Sequence, residues 1–182
     1  TLAILAGAAV SVGGVWLGSR LTAALGAAAL SFGFGLSGHA QGLADPGLAP
    51  IAVAVHVFIA GFWLAAPVSL YPAPTQEDSE LLSRLRRFSS IAVVAIPVLI
   101  ALGAWLAWTL VGGPEKLFGT TYGLLLLAKL AIGIVAMSLG ALNKQVITAK
   151  VAADPAIGRK WLRVTLLCEA TLFAAAIIVV SA

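Results

Sequence analysis

Long apolar runs separated by short polar loops constrain what this chain can fold into. One of them, residues 88–111, contains no charged side chain. A helix of about 20 apolar residues crosses the hydrocarbon core of a membrane. The whole chain of 182 residues is 61% hydrophobic and only 10% charged, whereas about a quarter of the residues in a soluble domain are charged. The sequence therefore predicts an integral membrane protein, an all-α, polytopic transmembrane helical bundle.

Six apolar runs are long enough to be counted as spans, and together they predict a single transmembrane domain over residues 1–182. The predicted spans are residues 2–17, 21–38, 50–71, 88–111, 121–143 and 164–182. The charged stretch 72–87 predicts a short amphipathic helix on the membrane surface. In that helix Glu80 and Arg84 have the i,i+4 spacing of a helical ion pair.

Basic residues in the connecting loops predict the orientation of the chain. Loops 18–20, 72–87 and 144–163 together carry nine Lys and Arg residues, and the two loops between them carry one. Lys and Arg accumulate in cytoplasmic loops, so these three loops are predicted to be cytoplasmic. His39 and His56 then lie toward the outer side of the membrane.

Several functional classes are excluded by the same composition. The basic excess lies in loops where membrane topology accounts for it, so a nucleic-acid partner is not expected. A single cysteine, Cys168, excludes an internal disulfide and a cysteine-only metal cluster. No nucleophile, phosphate-binding loop or carboxylate pair indicates hydrolysis, and the sequence predicts a protein that is not an enzyme.

The two histidines of the chain, His39 and His56, are the first candidate ligands for a metal. Neutral imidazole is a common metal ligand, and spans joined by a short loop are expected to be antiparallel neighbours. Two histidines with an outer carboxylate or amide would suit copper best among divalent ions. Trp63 follows His56 by two helical turns on the same face. In the alternative, His39 lies at the surface and His56 only forms a hydrogen bond to a neighbouring helix.

Lys129 and Glu169 are ionisable residues inside the predicted fifth and sixth spans. Charged groups inside a membrane are costly and usually face the interior of the bundle. Their depths differ by roughly 10 Å at 1.5 Å per residue, so a water link or separate roles are favoured over a direct ion pair. For Lys129 the alternative is a side chain that extends to the interface.

Met137 and Cys168 carry the two sulfur atoms of the chain, at similar predicted depths near the inner side. Soft sulfur ligands suit Cu(I), which makes the pair a candidate inner-side metal site. A single Met and a single Cys in apolar helices are more often packing residues.

Several segments in order along the chain resemble the CopD/PcoD family of copper-resistance inner-membrane proteins. They are S-G-H-A at 37–40, H-V-F-I-A-G-F-W-L at 56–64, R-R-F-S-S-I-A at 86–92, G-T-T-Y-G-L-L-L-L-A-K at 119–129, L-G-A-L-N-K at 139–144 and W-L-R-V-T-L-L-C-E at 161–169.

The resemblance implies a bacterial inner-membrane protein that handles copper, often beside a periplasmic copper-binding partner of the CopC type. It assigns His39 and His56 to the family's histidine positions, and Lys129 and Glu169 to its charged positions in the last two helices. The family usually has Gly-Gly-Leu where this chain has Ala-Ala-Pro at 65–67, so helix packing behind Trp63 is expected to differ. Family members commonly have eight spans, which implies further spans before residue 1.

Together with the resemblance, these residues predict a protein that binds copper at the outer face through His39 and His56 and moves it across the inner membrane. Two alternatives to copper transport remain open at the level of sequence. One is a protein that binds haem b, or a haem-dependent membrane oxidoreductase, with the histidines as axial ligands. The depths of His39 and His56 differ by about 9 Å, which is awkward for opposite positions on one iron. The other is a non-catalytic subunit whose histidines only brace helices within a larger assembly.

Overall fold

The computed structural model describes residues 2–37, 47–111 and 114–181, and all regular structure in these ranges is helical. Nine α-helices and one π-helical segment follow one another in the described ranges. They are α1 Leu2–Trp16, α2 Arg20–Ser37, α3 Ala49–Leu64, α4 Ala66–Ser69, α5 Asp78–Val111, α6 Pro114–Gly119, α7 Thr121–Leu142, the π-helical segment Asn143–Ile147, α8 Thr148–Ala153 and α9 Pro155–Ser181.

Four helical stretches are long and apolar enough to cross a membrane. They are Ala49–Ser69, Asp78–Thr109, Thr121–Ala153 and Pro155–Ile178. Two shorter apolar helices, Leu2–Trp16 and Arg20–Leu36, precede them. The prediction of an all-α helical bundle of membrane type is therefore confirmed.

Residues 1–62 and 96–112, as far as they are described, form one compact unit. Its best-packed part is the hairpin of α1 and α2, which turns at Gly18 with a φ of +67°. A methyl group added to Gly7, Gly14 or Gly26 would overlap the backbone of the opposite helix. Small residues allow such close approach of helices in membranes, so the Gly- and Ala-rich composition of this hairpin is its packing surface.

Residues 63–95 and 113–182, as far as they are described, form a second compact unit. Its core is a cluster of buried side chains from α4, the start of α5, the π-helical segment, α8 and α9. The cluster consists of Ala66, Leu70, Leu81, Leu85, Ile147, Val151, Leu162 and Leu166. Most of these residues come from the two most charged stretches of the sequence, 72–87 and 144–163, because those stretches fold as amphipathic helices.

The prediction that 144–163 is a loop was wrong, since only Asp154 interrupts helical structure there. Ile147 and Val151 are spaced i,i+4 and are 2% and 0% exposed, as expected for the buried face of a helix. Asp154 ends α8, and its carboxylate accepts a hydrogen bond of 3.1 Å from the backbone N–H of Ile157. Pro155 occupies the first position of α9, where proline is favoured. Helix α9 thus begins nine residues before the predicted sixth span.

The predicted surface helix within 72–87 and the predicted fourth span are one continuous helix, α5, of 34 residues. The separation predicted between them was wrong because no glycine or proline interrupts the chain between Asp78 and Pro97. The predicted ion pair is confirmed: Arg84 Nη2 lies 2.6 Å from Glu80 Oε1. Both side chains are about half exposed, so this pair contributes little to stability.

Candidate functional site

His56 lies in the middle of α3, half-buried, and its imidazole packs against α5. A Cβ atom added to Gly103 of α5 would lie 3.1 Å from Cε1 of His56, closer than an ordinary van der Waals contact. The imidazole ring therefore packs in space that a side chain at residue 103 would occupy. This contact fixes which helix His56 faces.

His39 and its neighbours Gln41 and Asp45 lie outside the described residues. The approach of His39 to His56 therefore stays a prediction. Helices α2 and α3, which flank this segment, do touch: a methyl group on Gly35 would overlap the carbonyl oxygen of Pro50.

Trp63, seven residues after His56, is held by packing in the second unit. Its ring meets that of Phe173 edge-on, with centroids 5.2 Å apart and an interplanar angle of 77°. Trp63 also packs against the buried cluster of that unit. Edge-to-face geometry is a favourable arrangement for aromatic pairs, so the contacts described for Trp63 are those of a packing residue.

Glu169 is the most deeply buried ionisable side chain among the described residues, at 2% exposure. It lies on α9, and one of its carboxylate oxygens, Oε1, accepts a hydrogen bond of 2.9 Å from Nδ2 of Asn143. Asn143 is in turn fixed by Thr165, whose hydroxyl donates to Asn143 Oδ1 over 2.5 Å. Asn143, Thr165 and Glu169 are called the Glu169 network below.

The π-helical segment Asn143–Ile147 positions the amide of this network. Both the backbone N–H and the hydroxyl of Thr148 bond to the carbonyl oxygen of Asn143, the hydroxyl over 2.8 Å. Short π-helical segments within α-helices occur frequently at functional sites. The residue at which the helix departs from α-helical geometry, Asn143, is therefore also the residue that bonds to the buried carboxylate.

Sequence reasoning identified Glu169 as a candidate but missed Asn143 and Thr165. A signal for Thr165 was available, because it precedes Glu169 by four residues and so lies on the same face of a helix. Asn143 lies at the end of the predicted fifth span, where a polar residue is ordinary. Only the π-helical segment and the packing of α7 against α9 bring its amide to Glu169.

Lys129 lies on α7 with its side chain exposed on the surface of the protein. Two ion pairs occur among the described residues, Arg84–Glu80 and Arg159–Asp78. Glu169 is thus held by an amide rather than by this lysine. The exposed placement fits the alternative considered for Lys129, a chain that extends along the helix toward the interface.

Met137 is half-buried on α7, and Cys168 is exposed on α9. Cys168 immediately precedes Glu169, so the two side chains point about 100° apart around the helix. In the part of the chain that the structure describes, no group of three or more His, Cys, Asp or Glu residues is placed to hold a metal ion. The predicted sulfur site and the predicted histidine site both stay predictions.

Apolar helices long enough to span a membrane, with a buried carboxylate between two of them, define a multi-pass helical membrane protein. Residues 82–182 match the family described as Copper resistance protein D (CopD), and this chain belongs to that family. The match covers more than half of the chain and includes the Glu169 network, but it does not reach His39 or His56. No curated protein and no solved structure matches the chain. None of these findings adds support for the haem alternative.

Proposed function

We propose that this copper resistance membrane protein binds copper at its outer face and moves it across the bacterial inner membrane. In this proposal copper is the cargo, and the protein is a carrier rather than an enzyme. Family membership supports the link to copper resistance. The apolar helices support placement in a membrane.

The observation that carries the proposal of transport is the Glu169 network. An ionisable side chain that is 2% exposed between apolar helices is costly to keep and typically marks an ion pathway or a proton relay. Asn143 holds Oε1 of Glu169, which fixes the carboxylate while leaving it able to take up a proton or to contact a cation. We assign Glu169 the role of an interior polar group on the route of the ion.

His39 and His56 receive copper at the outer face in this proposal. Imidazole nitrogen is a good ligand for copper, and the ring of His56 packs beside Gly103 of α5. Trp63 supports the helix that carries His56. A periplasmic copper-binding protein of the CopC type is the proposed donor.

Lys129, Met137 and Cys168 have secondary roles in the proposal. The exposed Lys129 sets the local potential near the outer end of α7. Met137 and Cys168 form an inner-side station for Cu(I), because thioether and thiolate are soft ligands. Loop 18–20, the stretch 72–87 and the helical stretch 144–163 lie on the cytoplasmic side, following the distribution of basic residues.

Copper content and copper uptake test this proposal separately. Purified protein in detergent is analysed for copper, and the same protein in liposomes is loaded with external copper and assayed for copper inside. The variants are His39→Ala/His56→Ala, Glu169→Gln and the matched control Glu115→Gln, whose carboxylate is exposed on α6. The histidine variant should lose bound copper. Glu169→Gln should keep bound copper but slow uptake by roughly a hundredfold or more, the lower end of the range for a group that transfers protons.

The proposal fails if the histidine variant binds as much copper as the unmodified protein, or if Glu169→Gln and Glu115→Gln transport equally well. A visible spectrum recorded on the same samples tests the haem alternative. A Soret band that disappears in the histidine variant would replace copper transport with haem binding.

A further inference from the structure

A basic cleft of about 350 Å³ opens between α5 and the π-helical segment with α8. It lies within the second unit, and none of the residues that line it is a member of the Glu169 network or a histidine. Its lining consists of Leu85, Arg86, Ser89, Ser90, Lys144 and Thr148. Residues three or four positions apart lie on the same face of a helix, so α5 contributes one wall and the segment from Lys144 to Thr148 contributes the other.

The charge of this basic cleft is uncompensated. Arg86 and Lys144 both line it, and no carboxylate does. The ion pairs within the described ranges use Arg84 and Arg159, with Glu80 and Asp78 as their partners. Two cations therefore face the same cavity without a negative group among the residues that line it.

A hydroxyl group in the same wall lacks a hydrogen-bond partner. Ser89 Oγ is buried and bonds to no group in the described part of the chain. The other two hydroxyls are engaged as donors: Ser90 bonds to the carbonyl of Arg87 and Thr148 to that of Asn143, each over 2.8 Å. Buried polar atoms are nearly always hydrogen-bonded, so the Ser89 hydroxyl lacks the partner that such a group normally has.

We propose that the basic cleft binds a phosphate group, carried either by an anionic phospholipid or by free phosphate. The guanidinium of Arg86 matches the geometry of phosphate oxygens, Lys144 adds a compact positive charge, and Ser89 donates a hydrogen bond. The volume lies within the range of small-ligand sites. This proposal does not depend on the transport of copper.

The position of the basic cleft favours the lipid as the source of the phosphate. It opens where α5 changes from its charged first turns to its apolar span, on the side that the basic residues predict to be cytoplasmic. Basic pockets at that side of a membrane commonly hold anionic headgroups. Leu85 in the lining would contact the apolar part of such a ligand.

Lipid binding is measured on the full chain, purified in a neutral detergent, by native mass spectrometry during titration with phosphatidylglycerol or phosphatidylcholine. A parallel titration uses inorganic phosphate alone and in competition with phosphatidylglycerol. The cleft variant is Arg86→Gln/Lys144→Gln. The control, Arg87→Gln/Lys160→Gln, removes the same charge from exposed residues outside the cleft. Ser89→Ala removes the hydroxyl and no charge.

Phosphatidylglycerol should bind the unmodified protein and the control equally. The cleft variant should bind roughly thirtyfold more weakly, since each of its two basic groups contributes about fivefold near an anionic membrane surface. Ser89→Ala should bind about threefold more weakly, as expected for one hydrogen bond. Displacement of the lipid by millimolar phosphate would identify a site for the phosphate group alone, and failure of displacement would identify a site for the whole lipid.

Equal losses in the cleft variant and the control would overturn the proposal, because they would show a diffuse positive surface instead of a site. The proposal would also be overturned if phosphatidylglycerol and phosphatidylcholine bound with equal affinity and inorganic phosphate did not bind. If the double variant does not fold by circular dichroism, Ser89→Ala decides, and unchanged affinity in that variant refutes the assignment.

Discussion

Replacing Asn143 with leucine tests whether the Glu169 network stabilises the fold. The change keeps side-chain size but removes the 2.9 Å hydrogen bond to Oε1 of Glu169. Thr165 keeps acceptors after the change, because its hydroxyl also lies 3.2 Å and 3.1 Å from the carbonyl oxygens of Trp161 and Leu162. The loss is therefore confined to Glu169, whose carboxylate remains buried.

The expected cost of Asn143→Leu is about 1.5 kcal/mol, where two ranges overlap. Hydrogen bonds to charged groups contribute about 1.5–3 kcal/mol, while interhelical hydrogen bonds in membranes average about 0.6 kcal/mol with a maximum near 1.7 kcal/mol. For a chain of this size, about 1.5 kcal/mol corresponds to a fall in Tm of roughly 3–6 °C. Tryptophan fluorescence during unfolding in detergent measures both quantities.

The matched control is Gln145→Leu, which removes an exposed amide from the same π-helical segment and should change stability by less than about 0.5 kcal/mol. A double-mutant cycle of Asn143→Leu with Glu169→Leu should give a coupling of about 1–2 kcal/mol. The reasoning is refuted if Asn143→Leu and Gln145→Leu are equally stable, or if the cycle shows no coupling.

Three further changes act at other contacts. Gly14→Ala forces α1 away from α2 and should lower the free energy of unfolding by about 2 kcal/mol, measured by unfolding in detergent. Gly103→Ala crowds the ring of His56. If His56 binds copper, this overpacking of roughly 1 kcal/mol should weaken copper affinity about fivefold. Competition with a chelator measures the affinity. Arg159→Gln removes the ion pair with Asp78 and the hydrogen bonds to the carbonyl oxygens of Ala73 and Gln76. The lost bonds to the carbonyls should account for most of a cost of about 2 kcal/mol, with faster proteolysis of 72–77.

Each of these changes has a control in the same part of the chain. Gly13→Ala and Gly61→Ala add a methyl group where nothing lies within 4 Å, and both should be neutral or slightly stabilising, because alanine favours helix. Lys160→Gln removes an exposed charge next to Arg159. Any variant that behaves like its control shows that the contact in question contributes nothing measurable.

The sequence predicted the helical bundle well because apolar length is a direct physical requirement of a membrane. It predicted the ends of the helices poorly in stretches that contain both charged side chains and buried apolar side chains. Val151 and Leu162 are both 0% exposed, yet they lie in a stretch whose lysines and arginines indicated a loop. Charge density describes only the outer face of an amphipathic helix, so the buried face was overlooked.

Part of the candidate site was also accessible from the sequence. Glu169 was identified because an ionisable residue in an apolar run is rare. Its partner Asn143 is 26 positions away, and neither its identity nor its spacing predicts the contact. Pairing across two helices depends on their packing and on the backbone geometry at residue 143, which no local pattern encodes.

Arg159 also makes contacts that its position in the sequence does not predict. Its side chain is 15% exposed and donates to the carbonyl oxygens of Ala73 and Gln76. In the sequence it is one of nine basic residues that indicate orientation. In the fold it satisfies backbone carbonyls of the 72–77 loop, more than 80 positions away.

The π-helical segment changes the helical phase of everything that follows it. One additional residue in a turn rotates the downstream side chains by about 100° relative to a continuous α-helix. The pattern of buried positions in residues 121–142 therefore does not continue in step through residues 148–153, although the helical structure is continuous. If the segment became α-helical with every residue kept, Val151 would turn away from the buried cluster and the backbone N–H of Thr148 would no longer bond to the carbonyl of Asn143. The face that α8 buries therefore depends on the wide turn at Asn143–Ile147 as well as on its own sequence.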